Sequence, residues 1–341
     1  MFKRSDLEEL AAYKSEHPIV SLYLHLDPRH RGSLDAYRAR LRGLLKEAAQ
    51  KAPQEDIAAI EDYFDRDFDW SGRGVATFSS AGSGWWQAYR FSVPVRSHVY
   101  VNDKPFVMPL VDLLDTYGSY TVALLDQQAI RMFHIHLGEQ VGTGKAEGEE
   151  IQRLKSSGGS GSGRTSRGDD LQSAREEAVR GNLRRFADEL EAFCRRQGAV
   201  SHLLLGGVES TTSQFKGMLS PRLQNCLEGT FAISMQAHDK EVLSQSLAII
   251  QKSQAASEAQ LVEAIRVGAA KRAGGVVGLQ PTLDAIAAGR VQKLVLAEGS
   301  LSPEVADEAI TQALEYGGEV VLVDGDSPLA ETEGIGALLR Y

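Results

Sequence analysis

The chain has 341 residues, 43% of them hydrophobic and 24% charged, an ordinary globular composition that excludes a disordered or collagen-like protein. Its net charge of −9 argues against a general nucleic-acid binder, and no apolar run reaches the roughly 18 residues a membrane span requires. The start "MFKRSDLEEL" is basic but has no apolar stretch behind it, and the two cysteines, Cys194 and Cys226, form neither a disulfide framework nor a zinc site. A soluble cytoplasmic protein of two or three domains, without metal or cofactor, is expected.

"IVSLYLHL" (19–26) reads as a first strand, rich in β-branched and aromatic residues. Ser33 is placed to cap a helix to about Gln50, with Leu34, Tyr37, Leu41, Leu44, Leu45 and Ala48 as its apolar face. Arg38 and Arg42 lie one turn apart and point elsewhere. A short helix follows over about 54–66. "GRGVATFSS", "WWQAYRFSV" and "SHVYVN" read as strands, the first two joined by the hairpin turn "AGSG". "DKPFVMPLVDLLD" closes this N-terminal α/β domain, residues 1–115.

A middle domain, 116–238, opens with "YTVALLDQQAIRMFHIHLGEQ", a strand pair around Asp126–Gln128. Apolar patterning then stops from Gly142 to Gly168. Within that loop, "KSSGGSGSGRTSRGDD" holds five glycines and no apolar residue. Asp169 and Asp170 suit a helix start, where carboxylates meet unpaired amides. The helix runs to about Gln197, with Leu171, Ala174, Ala178, Phe186, Leu190 and Phe193 spaced as an apolar face. A buried strand "HLLLGGV", a helix over about 212–227 and a strand "FAISMQ" complete a pattern with a parallel component.

The C-terminal domain, 239–341, begins with a long helix to about Ala273. "VQKLVLAEG", "SPEVADEAITQALEYG" and "GEVVLVDGD" then give strand, helix, strand. A short helix opens at Pro281, with Thr282 as cap, and ends at Gly289. The fold class is therefore α/β: three α/β domains in a chain, with mixed sheets and flanking helices. The Gly/Ser stretch joins a strand to a helix inside one domain, and a loop of about 25 residues there is unusual and more often functional or disordered.

Charge is unevenly spread. Lys293 to Arg340 encloses ten acids and no base, Arg29 to Lys46 carries +5, and Ile151 to Gly168 has four bases and no acid. Such asymmetry permits contact with nucleic acid through one part and with a protein through another.

Several sequences resemble a known family. "GGVVGLQPTLDAIAAGRVQKLVLAEG", "ALEYGGEVVLVDGDSPL" and "GIGALLRY" resemble the third domain of archaeo-eukaryotic class I peptide chain release factors and Pelota. The strand pair, Gly-rich loop, long helix, "HLLLGGVES" and "FKGMLSPRLQNCLEG" resemble their second domain. "VSLYLHLDP" is similar to the first strand of the N-terminal domain in bacterial members. The resemblance implies a bacterial relative with a translation-linked role on the ribosome. Active release factors carry Gly-Gly-Gln at the loop tip. Here Gly158, Gly159 and Ser160 stand in its place, and the tripeptide occurs nowhere in the chain. Serine lacks the amide's donor–acceptor pair, so ester hydrolysis is not expected of it on this ground. No Asn-Ile-Lys-Ser motif for stop-codon reading is present either.

Two basic groups are candidate RNA contacts: Arg153, Lys155, Arg164 and Arg167 around the loop, and Arg29, Arg31, Arg38 and Arg42 in the N-terminal domain. Lys and Arg contacts to phosphate position a complex without reading sequence. The bland reading is a solvated loop with incidental charge. The helix after the loop carries Arg175, Arg180, Arg184 and Arg185 among acids, which reads as a salt-bridged face. His134 and His136 share a strand face without a third ligand, and Gly206-Gly207 suits a tight turn after its strand. Trp85 and Trp86 read as hairpin packing.

The expected function is a ribosome-associated factor binding the A site in rescue, quality control or hibernation. Its partners would be rRNA and, through the acidic C-terminal domain, a translational GTPase, with no membrane. Two alternatives stand beside it: a divergent release factor in which Ser160 or the glycine backbone places the hydrolytic water, and an off-ribosome protein-binding adaptor.

Overall fold

The computed structural model describes residues 2–26, 34–151, 165–198 and 200–340, with residues 165–171 described by backbone alone. The chain forms two compact units: Met1–Gly118 together with Gln254–Tyr341, and Ser119–Ser253. It is an α/β protein with three sheets, each flanked by helices.

The discontinuous unit contains two of the sheets. Helix α1 (Arg4–Ala12) precedes strand β1 (Ile19–His25), helices α2 (Leu34–Ala48) and α3 (Gln54–Asp62), strands β2 (Gly74–Ser80), β3 (Trp85–Phe91) and β4 (His98–Asn102), and helix α4 (Met108–Tyr117). The strands make an antiparallel sheet in the order β3-β2-β1-β4. Val20, Leu22 and Leu24 of the central strand pack against Leu41, Leu45, Ile60, Phe64 and Phe68. The short helix expected over 54–66 is α-helical only to Asp62 and continues as a π-turn over Tyr63–Asp67. Leu34, expected on the apolar face, is exposed. Ser33, its expected cap, lies outside the described residues.

The unit's second sheet is built from β10 (Gly275–Val277), β11 (Val291–Ala297), β12 (Glu319–Val323) and β13 (Ile335–Leu339), in the order β10-β13-β11-β12. Helices α9 (Leu279–Ala287) and α10 (Pro303–Glu315) accompany it. Helix α9 starts at Leu279, two residues before Pro281. Helix α4 ties the two sheets together. The Asp307 carboxylate of α10 accepts hydrogen bonds from the backbone amides of Val107 (2.7 Å) and Met108 (2.9 Å), which begin α4 and have no intrahelical acceptor. At the other end, Asp115 accepts from the Leu322 amide through Oδ2 (3.2 Å), and its carbonyl accepts from Gln254 Nε2 (2.6 Å). Burial pushes the Asp307 and Asp115 carboxyls up to about 7.

The second unit holds β5 (Ser119–Leu125), β6 (Ala129–His136), β7 (Glu139–Glu147), helix α5 (Thr165–Gln197), β8 (Leu203–Gly207), α6 (Glu209–Lys216), α7 (Pro221–Asn225) and β9 (Leu227–Phe231). Its sheet runs β7-β6-β5-β8-β9, with β5, β8 and β9 parallel and the β5-β6-β7 meander antiparallel. One face packs on α5. The other, with Tyr120, Val122, Leu124 and Phe133, meets Val242 and Ile250 at the start of α8 (Asp239–Ala270).

Three expectations for this unit are corrected. Apolar patterning stops at Gly142, but the backbone continues as an edge strand to Glu147, paired along β6. The turn into it is Leu137-Gly138, both at positive φ (47° and 74°), the geometry of a two-residue hairpin loop, without the usual Asn-Gly signature. The helix expected from about Asp169 begins at Thr165. The single helix expected over 212–227 is two short ones, interrupted where Ser220 caps a new start at Pro221; its Oγ accepts from the Leu223 amide. The following strand accordingly pairs at 227–231, ahead of the run "AISMQ".

A candidate RNA-binding arm and its root

Helix α5 spans 33 residues, about 50 Å at 1.5 Å per residue. Its packed face is Val179, Leu183, Phe186, Ala187, Leu190, Phe193 and Cys194, stepping by threes and fours. Before Val179 the described side chains form no packed face. Residues 172 to 177 are exposed on every side, including Ala174, expected to be buried. Residues 172 to 178 therefore extend past the packed part of the helix for roughly 10 Å.

A buried amide fixes the arm's root. Asn182 is 3% exposed and lies on the apolar side of α5. Its Nδ2 donates to the carbonyls of Gln127 and Glu149, both at 3.0 Å. Its Oδ1 accepts from the Glu149 amide at 2.7 Å. The side chain thus satisfies three backbone groups where the chain leaves β7, next to the β5–β6 turn. Gly148 makes room for it: a Cβ there would lie 2.3 Å from the Asn182 carboxamide. Ile151, 9% exposed, anchors the last described residue before the Gly/Ser segment in the same core. Sequence reasoning missed Asn182, although a lone Asn between Val179 and Leu183 on an apolar stripe is a signal, because such a group must find partners.

Beside this root lies a pocket of about 520 Å³, lined by Gln127, Gln172, Arg175, Glu176, Arg180 and Gln214. Gln127 follows β5 and Gln214 sits on α6 after β8, so the pocket opens at the carboxyl ends of parallel strands, where open α/β sheets place ligands. Two guanidinium groups and three amides offer donors for phosphate oxygens and mixed donor–acceptor pairs for bases or sugars. Gln172 donates to Glu176 at 3.2 Å. Arg175, Arg180, Arg184 and Arg185 make no ion pair among the described residues, so the salt-bridged face expected of them is not formed there.

The remaining candidates are placed as follows. Arg153, Lys155, Gly158, Gly159, Ser160, Arg164, Arg29 and Arg31 lie outside the described residues, and Arg167 is described only as part of the α5 backbone. Arg38 and Arg42 are both exposed on α2. The Arg38 guanidinium lies 5.8 Å from the Trp70 ring centroid, and Arg42 Nε donates to the Arg38 carbonyl at 3.3 Å. Arg40, between them, instead lines a cleft of about 1000 Å³ in the discontinuous unit, with Arg96, Glu47, Asp112 and Glu298. His134 and His136 each bond a neighbouring hydroxyl through Nδ1, Thr121 at 3.1 Å and Ser119 at 2.6 Å, and the described residues contain no metal-binding cluster. A Cβ on Gly206 would meet Leu124 Cδ2 at 2.3 Å, and one on Gly207 the Leu125 carbonyl at 2.3 Å, so strand packing accounts for both glycines. Burial pushes the Cys194 thiol up to about 11. Among the described residues no helix is long and apolar enough to cross a membrane.

Together, the mixed sheet and the long helix α5 define an α/β fold. Residues 105–251 match the model of bacterial archaeo-eukaryotic release factor family 10. Solved structures similar to the chain include archaeal translation termination factor aRF1 (15% identity, 100% of this chain and 99% of that one, TM-score 0.30). Others are Archaeoglobus fulgidus Pelota (15%, 98% and 92%, TM-score 0.40) and S. cerevisiae Dom34 (11%, 79% and 79%, TM-score 0.46). No curated protein matches the chain in sequence.

Proposed function

We propose that the chain is a ribosome-associated translation factor that occupies the A site in rescue, quality control or hibernation without itself hydrolysing peptidyl-tRNA. The observation that carries this reading is the exposed stretch 172–178 of α5, within the region that matches the release-factor family. In this reading the arm delivers Gly158, Gly159 and Ser160 toward the ribosome's catalytic centre. Arg153, Lys155, Arg164 and Arg167 follow rRNA phosphates near the tip, and Arg175 and Arg180 hold RNA at the root. Arg29, Arg31, Arg38 and Arg42 form a second contact on the N-terminal domain. The acidic segment between Lys293 and Arg340, in a partner-binding region 239–341, faces a translational GTPase, and the protein acts in the cytoplasm.

The test is co-sedimentation with vacant and stalled 70S ribosomes at low and moderate salt. The wild type should pellet. A variant with Arg153, Lys155, Arg164 and Arg167 changed to Ala should pellet less, with a shallower salt dependence, as should Arg175→Ala/Arg180→Ala. Failure of the wild type to pellet in both ribosome states refutes the reading.

A further inference from the structure

A second chemically distinctive place lies in the discontinuous unit, on the N-terminal sheet, and the arm does not involve it. A pocket of about 290 Å³ opens between the π-turn after α3 and the β2–β3 hairpin. Such a volume sits at the lower end of ligand pockets and suits one side chain. Its walls are aromatic: Tyr63 and Trp86 have ring centroids 5.3 Å apart at 55°, and Trp85 completes the lining. All three rings are only half-buried. Trp85 is held by stacking on Tyr13 at 4.0 Å, so it is preorganised.

The polar groups around these rings are mostly acidic; the cation Arg90 also acts on Tyr63 and is paired with Asp69 at 3.1 Å. Asp62 and Asp67 line the pocket. Asp62 holds Arg66 at 2.8 Å, whereas Asp67 has no ion pair among the described residues. Residues 55 to 69 contain seven acids against the single base Arg66, a local charge of −6. Six of the acids are exposed. The seventh, Asp56, is 1% exposed and lies behind the strand-side wall. Its Oδ1 accepts from Ser79 Oγ (2.6 Å) and the Ala81 amide (2.7 Å), and both of those residues line the pocket. Its Oδ2 has no hydrogen-bond partner among the described residues. An acidic field with an aromatic recess at its centre is complementary to a cation: aromatic faces attract cations electrostatically, and neighbouring carboxylates reinforce them.

We propose that the Tyr63–Trp85–Trp86 pocket receives a single arginine side chain from a basic protein segment, which the surrounding carboxylates of residues 55–69 draw onto this face. The extent of the acidic surface selects a segment with several positive charges, and the size of the pocket selects one inserted side chain.

The experiment uses the full chain and two blocked lysine-rich peptides, one with a central arginine and one with glutamine in its place. Binding is read by tryptophan fluorescence and calorimetry. The arginine peptide should bind about tenfold tighter or more, on the scale of one partly desolvated cation–π contact. Trp86→Ala should remove that preference. Trp86→Leu, which keeps apolar bulk, should do the same and covers the case in which the alanine variant does not fold. Asp62→Asn/Asp67→Asn should weaken both peptides. The proposal is overturned if neither peptide binds. It is also overturned if both bind equally, leaving only a diffuse acidic surface, or if the preference survives in both Trp86 variants.

Discussion

Replacing Asn182 tests whether the arm is fixed at its root by hydrogen bonding or only by apolar packing. Leucine is the informative substitute, because it is close in size and leaves little cavity. It removes three hydrogen bonds, at 3.0, 3.0 and 2.7 Å, and strands the Gln127 carbonyl and both backbone groups of Glu149 in a part-buried setting. A typical net contribution is about 1 kcal/mol per bond, with a further cost where the stranded group cannot reach water. The expected loss is therefore about 3 kcal/mol, a shift on the order of 10 °C in the melting of the Ser119–Ser253 unit. Hydrogen exchange gives the more local readout. The Glu149 amide should lose protection ahead of the sheet amides of β5 and β8, since its acceptor is a side chain that no longer exists. Asn182→Asp should be at least as damaging, because it keeps the acceptor, loses both donors and buries a charge. If Asn182→Leu melts like wild type and the Glu149 amide exchanges unchanged, the root is held by Val179, Leu183 and Ile151, and the assignment of Asn182 is wrong.

Three further outcomes are expected. Asp307 has a folded-state pKa of about 7, above the ordinary 3.8, so between those values the folded state binds more protons than the unfolded one. Stability should then be full below about pH 4 as far as this group is concerned and fall as pH rises through 7, by on the order of 2–4 kcal/mol. Asp307→Asn keeps an acceptor for Val107 and Met108 and should flatten much of that slope in denaturant titrations at pH 5 and 8; an unchanged slope would exclude Asp307 as its source. Gly206→Ala should cost about 1–3 kcal/mol in chemical unfolding, because Leu124 and Ile233 would have to move, and a neutral result would mean the strands can separate at no cost. Cys194, buried and with its thiol raised, should react with a thiol reagent at pH 8 only on unfolding; rapid labelling of the native protein would contradict its place in the core.

Where apolar residues alternate or run together, the sequence was a sound guide: β1, β5, β6, β8, β11 and β12 all lie within stretches read as strands. The α/β class and the release-factor likeness were equally legible. Strand β7 was not, because "EQVGTGKAE" is an exposed edge whose strand identity comes from pairing with β6 rather than from burial. The short strands β10 and β13 were quoted only as family-like sequence; β10 has three residues, too few for a period to show, and β13 is broken in pattern by Gly336. The extent of α5's packed face was overestimated because Ala174 fits a helical spacing whether or not anything lies opposite it. Asn182, Asp115 and Asp307 were passed over for a common reason. Each acts on backbone groups distant in sequence, 200 residues away for Asp307 and Val107, and a polar residue's long-range partner leaves no mark in the local pattern.

The unsupported part of α5 also behaves as a ruler with a phase. Each residue of an α-helix advances the axis by about 1.5 Å and turns it by about 100°. Deleting one residue between 172 and 178 would barely change the reach, yet would swing everything N-terminal to it through more than a quarter-turn relative to the core at Val179. Removing four residues would shorten the reach by about 6 Å while nearly restoring the heading. Length and direction are thus set separately, in a segment that no core contact constrains. Variation in this stretch would change the heading of the helix's first turns without touching Val179 or the core behind it.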